Sequence, residues 1–362
     1  MKDITTPRPT GHKSRAEQLR ARAELALARG LFNLPSQWQV RISGQPSIEL
    51  DGQRLHPDMQ LLLATMRWRN GEASLAAEHV SIARANLRDG ATRYADTPEV
   101  GPVRELTIDA PHGPLRARHY APQRTAAPAP LLVFLHGGGF ALGDLDTHDL
   151  PCRLLCRHAE VHVLSIDYRL APEFPFPAAL EDGHVALRWA SEHAAELGAD
   201  PQRIALGGDS AGGNLSAVIA QDIARDGGPA LRAQLLIYPC TDLLEEWPSR
   251  VLFGKGMILT RSDMDWFNDL YTRPVDRASP RISPLRAASL AGLPPALVVT
   301  AGFDPLRDEG EAYAEALRKA GNRVVSWRER GLLHGYINYA GLSRECRSAT
   351  KRIGTELAAL LR

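Results

Sequence analysis

The chain reads as an α/β fold built on a mainly parallel sheet, and three features of the sequence carry that expectation. Short, continuously apolar, β-prone runs recur; helical patterns separate them; and glycine-rich turns fall directly after the runs. Strands buried on both faces show unbroken apolar runs rather than alternation, and parallel neighbours need a crossover, usually a helix, between them. The chain has 362 residues, 44% of them hydrophobic, which is enough for a sizeable core in one large or two ordinary domains.

The first ninety or so residues read as helices joined by an irregular stretch. Ser14 to Glu17 has capping-box form, and Ala16, Leu19, Ala23 and Leu27 come after it at helical spacing until Gly30. Leu34 to Gly52 reads as irregular. Pro57 suits a first helical turn, and Met59, Leu62, Leu63 and Met66 then recur until Asn70-Gly71. A third helix carries Leu75, Val80, Ala83 and Leu87 and stops at Gly90. These helices have no strand partner of their own in sequence, so their apolar faces must pack on the remainder of the chain.

From Val103 the pattern changes. Arg104 to Ile108 and Leu115 to Tyr120 alternate like two strands joined by a turn at Pro111 to Pro114. After a Pro/Ala-rich loop, Gln123 to Pro130, come six buried-type runs: Leu131 to Leu135, Val161 to Ile166, Ile204 to Leu206, Leu235 to Tyr238, Ala296 to Ala301 and Arg323 to Trp327. That makes eight strands. In such sheets chemistry sits at the carboxyl ends of the strands.

Ser210 stands at such an end, in Gly207-Gly208-Asp209-Ser210-Ala211-Gly212-Gly213, between a strand and an Ala-rich helical pattern. A serine there occupies a strained turn that exposes its hydroxyl, and its neighbours must be small because strand and helix pass closely. A Gly-rich turn of some other α/β protein is the alternative for this motif alone. His136-Gly137-Gly138-Gly139-Phe140 comes directly after the strand Leu131 to Leu135, and its amides can approach a reacting carbonyl without Cβ obstruction, as acyl transfer through an oxyanion requires. A serine hydroxyl needs a base, and the base an orienting acid. Asp304 succeeds the strand ending Thr300 to Phe303, and His334 lies beyond the last strand, so the order is nucleophile, acid, base. Asp308 and Glu309 read as helix-dipole partners, and His136 as a loop-shaping hydrogen bonder.

Five ordered motifs, HGGGF, Asp167-Tyr168-Arg169-Leu170-Ala171-Pro172-Glu173, GDSAGGN, Asp304 to Glu309 and His334-Gly335, together resemble the hormone-sensitive-lipase family of bacterial esterases, in its subgroup with Gly-Asp-Ser-Ala-Gly. The resemblance runs from about Val103 to the C-terminus. It implies an α/β-hydrolase fold with an eight-stranded sheet, with residues 101–362 as catalytic domain, an insertion at about 243–285, and residues 1–100 as N-terminal extension and helical cap. It further implies Ser210 as nucleophile, His334 as base, Asp304 as its orienter, and Gly137, Gly138 and Ala211 as oxyanion-hole amides. Arg169 and Glu173 would pair with each other as scaffold. Tyr336 departs from the phenylalanine common in the family. Candidate substrate contacts are Phe140 and Asp209 beside the motifs, and Phe253, Met257 and Leu259 in the insertion. There Thr260 and Asp263 have the form of a helix start.

The reading is therefore a serine carboxylesterase acting on short- to medium-chain esters of small molecules, without metal or organic cofactor. An amidase, an acyltransferase or a lipase would use the same residues, and a ligand-binding protein of this fold would not need His334. Lys plus Arg (43) balances Asp plus Glu (42), so no nucleic-acid partner and no stable membrane insertion are expected. The cysteines, Cys152, Cys156, Cys240 and Cys346, have neither a metal-site nor a disulfide-framework spacing. With no apolar h-region near Met1, this suggests the cytoplasm. The oligomeric state is left open, a homodimer included.

Overall fold

The computed structural model describes residues 15–71, 74–123, 128–272 and 275–362; side chains before Ala23, and those of Glu24 and Asn70, lie outside that description. So do the capping box expected at Ser14 to Glu17, the side chains of Ala16 and Leu19, and residues 124–127 of the Pro/Ala-rich loop. The strands of the main sheet are β1 (Val103–Ala110), β2 (Gly113–Tyr120), β3 (Ala129–Leu135), β4 (His162–Asp167), β5 (Ala199–Asp209), β6 (Ala233–Ile237), β7 (Ala296–Phe303) and β8 (Val324–Leu333). Their order is β8-β7-β6-β5-β3-β4-β2-β1. All pairs from β8 to β4 are parallel, while β2 pairs antiparallel with β4 and with β1.

Strand alternation divides the core. Leu132 and Phe134 of β3 join one apolar cluster, and Leu131, Val133 and Leu135 join the other, because successive side chains leave a strand on opposite faces. Helices α5 (Asp149–Ala159) and α11 (Arg344–Leu360) cover the first face; α6 (Ala178–His193) and α7 (Ala211–Asp226) cover the second. Helix α10 (Arg307–Lys319) packs on β7. The insertion supplies α8 (Pro248–Phe253) and α9 (Arg261–Thr272); Thr260 Oγ1 accepts from the Asp263 amide at 3.2 Å, and Asp263 Oδ2 accepts from the Thr260 amide at 2.9 Å, a reciprocal cap.

The N-terminal segment departs from the expected pattern in several places. Helix α1 is Arg15–Phe32, and the stretch read as irregular holds α2 (Ser36–Ile42) and a two-residue hairpin, Glu49–Leu50 with Gln53–Arg54. Helix α3 (Pro57–Asn70) does not ride above the sheet: Met59, Leu61, Leu62 and Leu63 belong to the cluster under α5 and α11, and the His56 amide donates to Gly331 of β8 at 2.9 Å. Helix α4 is Val80–Arg93, so Leu75 precedes it and Gly90 lies inside it. The scaffold charges also pair differently. Arg169 binds Asp182 and Glu181, whereas Glu173 binds Arg84 of α4. Glu309 lies in the first turn of α10, as expected of a helix-dipole partner, but it is also buried, accepts from the Thr241 and Asp242 amides at 2.7 and 3.1 Å, and pairs with Arg250.

His119 on β2 and His162 on β4 stack in the interior, Nε2 to Nδ1 at 2.9 Å. Burial, and then the neighbouring His162, push His119 from 6.5 down to about 3. The unfolded chain therefore takes up a proton near pH 6.5 that the native state refuses. Stability is unaffected above that pH and falls as pH drops toward 3, by at most about 1.4 kcal/mol per unit from this group. Urea melts at pH 7 and pH 4 are expected to differ less for His119→Gln than for the wild type; an equal difference would remove His119 as a source of the acid lability.

Candidate active site

Four chain segments converge at the carboxyl ends of neighbouring strands. Ser210 joins β5 to α7 with φ 53° and ψ −118°, a conformation that L residues rarely adopt. The turn is held by its own backbone: the Ser210 amide donates to Ile237 of β6 at 2.9 Å, and the Ser210 carbonyl accepts from Asn214 at 3.0 Å. A Cβ on Gly208 or Gly212 would run into the Leu135 carbonyl of β3, which is why only glycine fits on either side.

His334 comes immediately after β8, and its Nε2 lies 2.9 Å from Ser210 Oγ. Its Nδ1 lies 2.8 Å from Oδ2 of Asp304, which is fully buried at the end of β7. Asp304 Oδ1 accepts from the Leu306 amide at 2.8 Å, so both carboxylate oxygens are engaged. That fixes the tautomer: Nδ1 carries the hydrogen toward the carboxylate, and Nε2 offers its lone pair to the hydroxyl. Tyr336 is buried against Tyr238, edge to face at 5.2 Å, and its hydroxyl has no partner among the described residues.

The glycine loop after β3 corrects one expectation. The Gly137 amide donates to Asp209 Oδ1 at 2.8 Å and is therefore not free to serve an oxyanion. Gly138 and Gly139 line the cavity beside Ser210, and their amides, with that of Ala211, have no acceptor among the described residues. Gly139 is part of the HGGGF motif but not of the oxyanion set Gly137, Gly138 and Ala211 that the resemblance implies; its place as third glycine of the motif is its signal. Asp209 is accordingly a support for this loop. Burial pushes its carboxyl up, but His148, with Nε2 at 3.2 Å, the Gly137 amide and His136 outweigh burial and hold it below the usual carboxylate range. Burial and then His148 push His136 down to about 4, leaving it neutral with Nδ1 2.8 Å from the Gly137 carbonyl, to which it donates. Tyr168 stacks on His136 and donates to its carbonyl at 2.7 Å.

The cavity at Ser210 holds about 190 Å³ and is mostly apolar, with Met66, Leu75, Ala83 and Leu87 from the N-terminal segment facing Ile258, Leu259, Met264 and Phe267 from the insertion. Of the five candidate substrate contacts, Phe140, Asp209 and Leu259 are on its wall. Phe253 and Met257 are not. Phe253 is fully buried against the Phe303 ring at 5.4 Å and under the Arg307 guanidinium, and Met257 is buried in the core. Ile258, the next residue, takes the place expected of Met257. Among the described residues no group of His, Cys, Asp and Glu has the arrangement of a metal site, and no helix is long and apolar enough to cross a membrane.

A family model described as the alpha/beta hydrolase fold matches residues 132–338. The chain belongs to the α/β-hydrolase fold family. Within it, the chain is 48% identical over 337 residues to a carboxylic ester hydrolase, LipN, of Mycobacterium tuberculosis, covering 91% of this chain and 89% of that one. It is 44% identical to the carboxylesterase NlhH of the same species, over 79% of this chain and 90% of the other. Among solved structures, an ester hydrolase from the Lake Arreo metagenome, in complex with a bipyridine phosphonate derivative, superimposes with a TM-score of 0.81 at 40% identity, covering 84% of this chain and 98% of that one. This member of the hormone-sensitive-lipase-like branch is a carboxylic ester hydrolase acting on small-molecule substrates.

Proposed function

We propose that the protein hydrolyses short- to medium-chain acyl esters through an acyl-Ser210 intermediate. The observation that carries this reading is the unbroken hydrogen-bonded line from Asp304 through His334 to Ser210, opening on an apolar cavity. Ser210 Oγ attacks the ester carbonyl while its proton passes to His334 Nε2, and the oxyanion forms against the Gly138, Gly139 and Ala211 amides. The carbon–oxygen bond to the alcohol then breaks, and His334 returns the proton to the leaving alkoxide. Water, deprotonated by the same Nε2, attacks the acyl carbon; the bond from that carbon to Ser210 Oγ then breaks, His334 returns the proton to Oγ, and the acid leaves. These groups account for every proton in the cycle, so no further cofactor is called for. Four unpaired thiols suit a reducing compartment, and on that ground we place the protein in the cytoplasm.

The test is a p-nitrophenyl ester series from acetyl to palmitoyl, with mass spectrometry of a phosphonate adduct on Ser210. Rates rising to an optimum at roughly four to eight acyl carbons support the proposal, since each buried CH₂ contributes about 0.8 kcal/mol until the tail meets the wall. An adduct elsewhere, or no ester turnover, would refute it. The wall itself can be moved. Leu87→Trp, on the cavity face of α4, is expected to lower kcat/KM for octanoate relative to butyrate by roughly fourfold for each methylene the indole displaces; an unchanged ratio would mean α4 does not bound the acyl tail.

A further inference from the structure

Helix α4 does more than wall the cavity. Ala83 and Leu87 face the cavity, while Arg84 and Arg88, also one helical turn apart, reach the loop that carries the glycine amides. Arg84 Nε donates to the Ala141 carbonyl at 2.8 Å, and Nη2 donates to the Ala171 carbonyl at 2.8 Å. Both alanines are fully buried. Ala171 in turn donates its amide to the Phe140 carbonyl at 2.9 Å, and the Ala141 and Leu142 amides close a turn onto the Gly138 carbonyl at 3.2 and 2.8 Å. Arg88 pairs with Asp144, whose Oδ1 accepts from the Asp146 and Thr147 amides at 2.9 and 2.8 Å. The loop inside this grip turns through positive φ at three successive residues, 121° at Gly138 and 60° at Gly139, which glycine adopts freely, and 62° at Phe140, which is strained for a residue with a Cβ. A phenylalanine held there keeps its conformation only where its surroundings over-determine it.

We infer that Arg84 is a positioning residue for the oxyanion hole: by tying the Ala141 carbonyl to that of Ala171, whose amide holds the Phe140 carbonyl, it fixes the direction of the Gly138 and Gly139 amides. The inference rests on the acyl-serine reading above. Its consequence is that α4 sets the rate of turnover as well as the length of the acyl tail. The bidentate contact of Arg84 with Glu173, Nη1 to Oε1 at 2.9 Å and Nη2 to Oε2 at 2.7 Å, is half exposed at the carboxylate and separate from the guanidinium's two carbonyl contacts.

Arg84→Met keeps most of the side-chain volume and removes all the donors. It is expected to lower kcat on p-nitrophenyl acetate, whose two-carbon acyl group makes the least use of the acyl wall, by roughly ten- to a hundredfold with KM within about twofold. Inhibition by an alkyl trifluoromethyl ketone, which forms an oxyanion on the serine, should weaken by the same factor. Glu173→Gln, which leaves the carbonyl contacts in place, should keep kcat within about twofold. Unchanged kcat and ketone inhibition in a folded Arg84→Met protein would overturn the inference, as would losses confined to KM for long acyl chains. Should Arg84→Met not fold, Arg84→Lys decides: its single ammonium cannot span both carbonyls as the guanidinium does, so kcat on the acetate must fall, and full activity would overturn the role. Wild-type turnover abolished by Ser210→Ala keeps the acyl-serine reading standing whatever Arg84 does, and its absence sinks that reading separately.

Discussion

Replacing Ser210 with alanine is expected to cut ester turnover by about 10⁴ to 10⁶-fold while leaving the fold intact. The chemical loss is total for the acyl-enzyme route, since Oγ is the atom that bonds to the acyl carbon, and neither Ala211 nor Asp209 offers a replacement nucleophile. The structural loss is small. Among the described residues the hydroxyl is hydrogen-bonded to His334 alone, at 2.9 Å. The turn is built from backbone contacts to Ile237 and Asn214, which alanine retains. Alanine also carries the same Cβ at φ 53° as serine, so it adds no backbone strain. The variant should melt within a few degrees of the wild type, and kcat on p-nitrophenyl butyrate is the measurement. More than about 1% of wild-type kcat from a folded sample, with contamination excluded, would end the assignment of Ser210.

The parts of this site that sequence could reach are those where a residue type is forced by the backbone at its own position. Gly208 and Gly212 are glycine because the Leu135 carbonyl leaves no room for a Cβ, and that demand is visible as Gly-x-Ser-x-Gly without any knowledge of the fold. Asp304 and His334 are legible through their positions after strands. The features that stay hidden depend on distant partners. Asp209 takes up the Gly137 amide across 72 residues of sequence, so the motif alone points that amide at the oxyanion. Glu173 pairs with Arg84 across 89 residues, and its neighbour in the motif, Arg169, turns to Asp182 instead. Phe253, Met257, Ile258 and Leu259 are all apolar and all buried, so nothing local separates the two that also line the cavity from the two that do not. Helix α2 has only seven residues, too few for a helical period to declare itself.

Asp304→Asn is expected to lower kcat by about 10⁴-fold with the geometry of the site preserved. The reason lies in the second partner of the carboxylate. Oδ1 accepts from the Leu306 amide at 2.8 Å in a fully buried position, and an asparagine there must turn its carbonyl oxygen toward that N–H, because a buried amide donor left facing an NH₂ group is unsatisfied. The NH₂ group then faces His334 Nδ1, where Oδ2 stood at 2.8 Å. A donor in that place makes Nδ1 an acceptor and moves the ring hydrogen to Nε2, so the nitrogen beside Ser210 Oγ can no longer take its proton. Asp308 cannot stand in, since it is occupied by the Ser249 amide at 2.8 Å and by Arg307 Nε at 2.8 Å. The variant should fold, bind the phosphonate reversibly and react with it slowly, so the loss appears in kcat and in the rate of inactivation rather than in KM. Asp304→Asn retaining a tenth or more of wild-type kcat would show that the carboxylate does not set the imidazole tautomer in this site.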